Sequence, residues 1–251
     1  MAAPPLRILQ LTDLHLPARA GGRVWGRDVE RNLDLALAAA TACEPFHRLV
    51  LSGDLANSGA SAAYERLARR LAPFGDRVRL LPGNHDRRER LRAAFPRHWP
   101  GADTWLSFTD ELPGLTLVGL DSTVPRRTRG ELGAPQLHWL RERLAAMVGR
   151  WLLFLHHPPV RVGTWWLDKD LVRDRAQLGE VLAAKPPLAI VTGHVHQEFV
   201  GALAGTPVWT TPAVAYQYAP RSWLPLPRAR VPALRMLDVV GDVVHTRIVR
   251  P

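Results

Sequence analysis

Five short segments of the chain concentrate the residue types that hold divalent cations: Thr12-Asp13-Leu14-His15, Ser52-Gly53-Asp54, Pro82-Gly83-Asn84-His85-Asp86, His156-His157-Pro158-Pro159 and Gly193-His194-Val195-His196. Of the 10 histidines, all but His47, His98, His138 and His245 fall in these segments. Imidazole and carboxylate together suit borderline and harder ions such as zinc, manganese or iron. Asp13 and His15 are two apart, as are His194 and His196, so in extended backbone each pair would point its side chains the same way. Asp54, with two oxygens, has the means to bridge two ions held roughly 3.5–4 Å apart, as in two-metal hydrolytic sites. Gly53, Gly83 and Gly193 precede these residues, and glycine lets a chain turn sharply. Taken singly, each motif has a plainer explanation: Asp-x-His as a cap or turn, Gly-Asp as a common strand exit, Gly-Asn-His-Asp as a turn. Their joint occurrence does not.

The elements that must position these residues are legible as alternating runs. Leu6–Leu11, Leu49–Ser52, Val78–Leu81, Leu115–Leu120, Trp151–Leu155 and Leu188–Thr192 read as short, nearly all-apolar strands. Helical periodicity lies between them. Asp28 is placed to cap a helix carrying Leu33, Leu37 and Ala40, and Ser61 one carrying Tyr64, Leu67, Ala68 and Leu71. Leu137, Leu140 and Leu144 mark a third helix; Leu178, Val181 and Leu182 mark a fourth after Asp174. Buried strands alternating with helices imply a largely parallel sheet, whose ligands bind outside the carboxy ends of the strands. All five motifs sit at such ends. After Gly205 the helical pattern stops. Pro207–Thr211, Leu234–Val240 and Val243–Val249 read as strands that add a second sheet, the last two turning at Gly241-Asp242. Residues 217–232, rich in Pro and Arg, read as an irregular loop before a terminal hairpin over 233–249. With no repeat or linker in evidence, residues 1–251 are expected to form one domain.

Composition narrows the rest. With 47% hydrophobic and 22% charged residues the chain is of the folded globular class. Lys plus Arg number 33 against 23 Asp plus Glu, an excess that suits an anionic partner. Most of the cations are Arg in an Ala- and Leu-rich background, and Arg66, Arg69, Arg70, Arg87, Arg88, Arg90 and Arg92 scatter over helical stretches, so compositional bias explains most of them. No continuous basic run interleaved with aromatics marks a nucleic-acid binder; Trp165, Trp166, Tyr216 and Tyr218 are the candidates for a stacking platform. Cys43 is the only cysteine, which excludes intramolecular disulfides and zinc fingers. Without a long apolar run or a signal-peptide pattern, the expected location is cytoplasmic, with no membrane partner.

The order Asp-x-His, Gly-Asp, Gly-Asn-His-Asp, His-His-Pro-Pro, Gly-His-x-His resembles the calcineurin-like metallophosphoesterase superfamily. Ser61-Ala-Ala-Tyr64, Leu81-Pro-Gly-Asn-His-Asp86, Gly130-Glu-Leu132 leading to Gln136-Leu-His-Trp-Leu140, and Trp166-Leu-Asp168 are similar to bacterial class III cyclic-nucleotide phosphodiesterases, the cAMP-hydrolysing group. The likeness runs from Leu6 to Thr211. It implies an α/β fold, a four-layer α/β/β/α sandwich with the metal site at the strand carboxy ends. It also implies two divalent ions (Fe, Mn or Zn). One would be held by Asp13, His15, Asp54 and His196, the other by Asp54, Asn84, His156 and His194. His85 would be the catalytic histidine near the phosphate and His157 a supporting neighbour.

That arrangement would hydrolyse phosphodiesters, 3′,5′-cyclic nucleotides such as cAMP first among them, by in-line attack of a hydroxide formed between the ions. Asp86 is placed to orient His85, and Asp121 to buttress a ligand. Alternative substrates are glycerophosphodiesters, 2′,3′-cyclic nucleotides and nucleic-acid ends. A non-catalytic interaction module on the same scaffold would lack some of the seven metal-binding positions, all filled here. The partner expected is a small-molecule phosphodiester; a homodimer is compatible with the sequence.

Overall fold

The computed structural model describes residues 5–99, 104–228 and 230–251. Strands β1 (Leu6–Leu11), β2 (Arg48–Ser52) and β3 (Val78–Leu81) run parallel, joined through helices α1 (Val29–Ala42) and α2 (Ser61–Leu71). A short helix α3 (Arg88–Ala94) leads to β4 (Phe108–Leu112) and β5 (Leu115–Leu120), an antiparallel pair. Helix α4 (Gly133–Ala146), β6 (Arg150–Leu155), α5 (Arg175–Ala184) and β7 (Ile190–Thr192) follow. The chain then makes β8 (Phe199–Leu203), β9 (Thr206–Thr210), a two-residue ribbon of β10 (Gln217–Tyr218) and β11 (Pro227–Arg228), and the hairpin β12 (Leu234–Val240) and β13 (Val243–Val249).

Two sheets result, in the orders β13-β12-β1-β2-β3 and β4-β5-β6-β7-β9-β8. Strand alternation sorts the side chains into three cores. Leu9, Leu11, Leu49 and Leu51 face α1 and α2. Val118, Leu120, Leu153 and Leu155 face α4 and α5. Ile8, Val50, Leu117, Leu152, Phe154 and Leu237 meet between the sheets. The architecture is an α/β/β/α sandwich.

Three expectations need correction. The three strands expected after Gly205 do not make up a separate sheet: β9 extends the second sheet beside β7, and β12 covers the free edge of β1. The two sheets instead divide the parallel strands read from the first two-thirds of the chain. Strands β4 and β8 have no counterpart among the runs read from sequence; both are edge strands, β4 alternating buried and exposed residues and β8 half-buried and exposed ones. Residues 217–232, read as an irregular loop, contain the β10–β11 pairing. At the helix starts, Asp28 caps α1 by accepting from the Arg31 N–H. Ser61 caps nothing; Ala60 holds that position in α2. No helix among the described residues is long and apolar enough to cross a membrane.

Candidate metal centre

The carboxy ends of β1, β2, β3, β6 and β7 all open on one edge of the sandwich, where both sheets contribute. Asp13 and His15 follow β1, Asp54 follows β2, Asn84 and His85 follow β3, His156 follows β6, and His194 and His196 follow β7. Backbone bonds lock the exits together: Asp13 N–H donates to Gly53 O at 3.0 Å and His15 N–H to Asp54 O at 2.8 Å.

The exits are not extended. Asp13, His15, Asp54, His194 and His196 all have positive φ, between 47° and 66°. Left-handed backbone in five non-glycine residues costs of order 1–3 kcal/mol each and persists only where the surroundings dictate it. Each Asp-x-His or His-x-His pair thus turns twice around a fully buried apolar residue, Leu14 or Val195. The two side chains of each pair share a side through that double turn, not through strand alternation. The glycines also act differently from expectation. Gly53 does take positive φ, but Gly83 and Gly193 do not; a Cβ there would fall on Asp54 or on Thr12. Their role is close approach.

Each carboxylate anchors one oxygen and aims the other inward. Oδ2 of Asp13 accepts from Thr12 Oγ1 at 2.8 Å and from His194 N–H at 3.0 Å, while Oδ1 has no hydrogen-bond donor and lies 3.2 Å from His196 Nε2. Oδ1 of Asp54 accepts from the His85 N–H at 2.9 Å. Its Oδ2 is 3.5 Å from His156 Nε2, 3.6 Å from His15 Nε2 and 4.0 Å from His85 Nε2.

The imidazoles obey the same rule. Nδ1–H of His156 donates to Ser52 O at 2.9 Å, that of His196 to Tyr216 O at 2.7 Å, that of His85 to Asn57 O at 2.7 Å, and that of His15 to Asn57 Oδ1 at 3.2 Å. These acceptors orient the rings so that Nε2 of each faces the cluster, a lone pair wherever the ring is neutral. As a result Nε2 of His15 and Nε2 of His196 face each other at 3.2 Å, and His156 Nε2 faces Asn84 Oδ1 at 3.3 Å. His194 Nε2 is buried without a partner. Acceptors gathered against acceptors repel unless a cation lies among them. Atoms about 2.1 Å from one ion sit roughly 3–3.4 Å from each other, so the donor set fits divalent metal.

Electrostatics agree. Burial pushes His15 and His194 down to about 3. Burial works the same way on His156, but the Asp54 charge and hydrogen bond overcome it and raise this group to about 9. Asp54 itself is held well below the carboxylate range; burial opposes this, and the surrounding imidazoles, His156 foremost, prevail.

Three neighbours differ in role from one another. His157 has both ring nitrogens engaged, Nδ1 with Ser122 Oγ at 2.8 Å and Nε2 with Thr128 O at 2.9 Å, so it supports and does not face the cluster. Asp86 does not orient His85. Its carboxylate accepts from the N–H groups of Leu55, Ala56 and Gly83 and from the Tyr64 hydroxyl, tying the β2 and β3 exits to α2. Asp121 likewise buttresses no histidine; it binds Arg88 through both oxygens, with Nε at 2.5 Å.

The sequence reading overlooked Asn57, whose side chain and carbonyl hold two different imidazoles. Within Leu55-Ala-Asn-Ser-Gly59 it looks like any turn residue, and only the fold brings it under His15 and His85. Of the four aromatic candidates, Tyr216 is buried and serves through its carbonyl; the Tyr218 ring lies 5.1 Å from His196 and meets Trp166 edge-on at 4.8 Å.

Comparison with known proteins points the same way as the geometry. The chain is 33% identical over 218 residues to the 3′,5′-cyclic adenosine monophosphate phosphodiesterase CpdA of Pseudomonas aeruginosa, covering 86% of this chain and 78% of that one. It is 33% identical over 269 residues to a probable cyclic nucleotide phosphodiesterase of Synechococcus sp. (strain WH7803), covering 97% and 96%. In fold it is similar to the purple acid phosphatase PPD1 from yellow lupin seeds, with a TM-score of 0.70 at 11% identity, spanning all of this chain and 52% of the lupin chain. With residues 6–198, which include every residue of the cluster, matching its pattern, the chain belongs to the calcineurin-like phosphoesterase family.

Proposed function

We propose that the chain is a dinuclear metal-dependent phosphodiesterase acting on 3′,5′-cyclic nucleotides such as cAMP. One observation carries the reading: Oδ2 of Asp54 stands between His15 Nε2 and His156 Nε2, at 3.6 and 3.5 Å. That oxygen divides the donors into two sets sharing one carboxylate. Asp13, His15, Asp54 and His196 would hold one ion; Asp54, Asn84, His156 and His194 would hold the other. Two bound divalent cations supply a water acidic enough to attack near neutral pH and neutralise charge on the phosphate.

The chain's own residues do the rest. Ser52 O, Tyr216 O and Asn57 hold Nδ1 of four imidazoles and so aim their Nε2 atoms inward. His85 is partly exposed, its side chain 40% accessible against 3% for Asp54. Its Nε2 is placed to stabilise charge on the phosphate or to donate a proton to the departing alkoxide. Asp86 positions the β3 exit beneath it. The chain acts as one domain, since both sheets furnish donors.

The names borne by the relatives, matched over 78% and 96% of their lengths, support the cyclic-nucleotide substrate. The test is a panel of 3′,5′-cAMP, 2′,3′-cAMP, glycerophosphodiesters and single-stranded DNA, run with manganese, zinc and iron in turn, alongside metal analysis of the purified protein. The expected result is two equivalents of metal and highest kcat/KM on 3′,5′-cAMP. One equivalent or fewer in active protein would sink the dinuclear reading; preference for another ester would replace the substrate.

A further inference from the structure

A cavity of about 520 Å³ opens beside Asn84, between the β3 exit and the β5 exit at Thr123 to Arg126. Its size falls within the range of about 300–1,000 Å³ typical of ligand sites. The walls are held in place: Arg88 forms a bidentate pair with Asp121 and also donates to Thr123 O, stitching one exit to the other. Three further arginines line the cavity, Arg87, Arg90 and Arg126. None of the three has an ion-pair partner among the described residues; Arg87 and Arg90 donate only to the carbonyls of Asp86 and Gly59. Besides Asp86, whose carboxylate is consumed by four donors, Glu89 is the one acid on the wall among the described residues.

Some arginines elsewhere, Arg7, Arg48, Arg66, Arg70, Arg77 and Arg79, pair with Asp or Glu. What marks Arg87, Arg90 and Arg126 is that they line one cavity together with Asn84 of the metal cluster. Guanidinium recognises phosphate through paired N–H donors.

Accepting the metal-centre reading, we infer that this cavity is a subsite for a second phosphate on the substrate, beside the bond that is cut. The chain then cleaves linear phosphodiesters bearing an additional phosphate group, such as a 5′-phosphorylated dinucleotide, in preference to the same diester without it.

The test compares a diadenosine dinucleotide with and without its 5′-phosphate, using manganese-loaded protein at low salt. The expected kcat/KM ratio is about tenfold in favour of the phosphorylated form, the effect of one charge-assisted hydrogen bond. It falls toward one at high salt and in the Arg87→Gln/Arg126→Gln double variant. Arg77→Gln, which removes a distant paired guanidinium, keeps the full ratio. Equal kcat/KM for the two dinucleotides, or a ratio that survives in the double variant, overturns the subsite. Hydrolysis of bis-p-nitrophenyl phosphate reports separately on the metal-centre reading. Where neither dinucleotide is cut, calorimetric titration decides: adenosine 3′,5′-bisphosphate must bind about tenfold tighter than 5′-AMP, with the difference lost in the double variant. Equal affinities again overturn the proposal.

Discussion

The backbone N–H of His85 donates to Oδ1 of Asp54 at 2.9 Å, so the residue proposed to face the phosphate also fixes the orientation of the carboxylate proposed to be shared. With Oδ1 anchored, only Oδ2 is left for the cluster, 3.5 Å from His156 and 3.6 Å from His15. In Asp54→Asn one donor atom of the carboxamide carries hydrogens and cannot bind metal. Metal affinity should fall by more than about 100-fold, the upper range for losing even an outer-sphere partner. Metal analysis after dialysis checks this; two retained equivalents refute it.

His85 should separate catalysis from metal binding. In His85→Ala the backbone bond to Asp54 survives, so both ions stay bound, while turnover on bis-p-nitrophenyl phosphate drops about 10²–10⁴-fold. Unchanged turnover would remove it from the chemistry.

Asn57 acts on His15 through its side chain and on His85 through its carbonyl. Asn57→Ala therefore releases the tautomer of His15 alone. Metal affinity is expected to weaken about 10–100-fold, with the turnover of fully loaded protein largely kept. A variant that loses turnover at saturating metal would contradict this division of labour.

The Tyr64 hydroxyl donates to Asp86 at 2.8 Å and accepts from the Arg87 N–H at 3.0 Å. Tyr64→Phe should cost about 1–3 kcal/mol, because it removes a donor from the buried Asp86 carboxylate and leaves the Arg87 N–H without its partner. For a chain of this size each kcal/mol lowers Tm by about 2–4 °C. Calorimetry on the metal-loaded protein measures it. A Tm within one degree of wild type (about 0.3 kcal/mol on the same scale) would mean that the network does not hold the exits.

The metal-free protein should be acid-sensitive. His15 and His194, pushed by burial to about 3, take up protons in the unfolded chain near the ordinary value of 6.5 but not in the folded one. Unfolded chains thus bind more protons between those limits, and stability falls as pH drops from about 6.5 toward 3. Asp86, raised to about 6 mainly by burial, works in the opposite direction but is outnumbered. A metal-free Tm that holds or rises between pH 6.5 and 4 would be the contrary result.

Much of this protein is written locally. Strands such as Leu6–Leu11, Val78–Leu81 and Leu115–Leu120 are apolar on both faces, and that short-range signal placed their ends where the structure has them. Because polar ligand-type residues follow each end directly, the membership of the cluster was legible before any geometry. Long-range pairing was not. Nothing in Leu234–Val240 says that it will cover β1; edge strand Phe108–Leu112 carries too little apolar pattern to stand out, and Phe199–Leu203, apolar in sequence, is interrupted by Gly201 and only partly buried at its edge. The left-handed turns at Asp13, His15, His194 and His196 arise because tertiary contacts outweigh local preference, which no spacing reveals. Tertiary structure alone decided which atom each ligand-type residue presents. Acceptors from Asn57, Ser52 and Tyr216, distant in sequence, choose the tautomers, and Asp121 pairs with Arg88 to frame the neighbouring cavity.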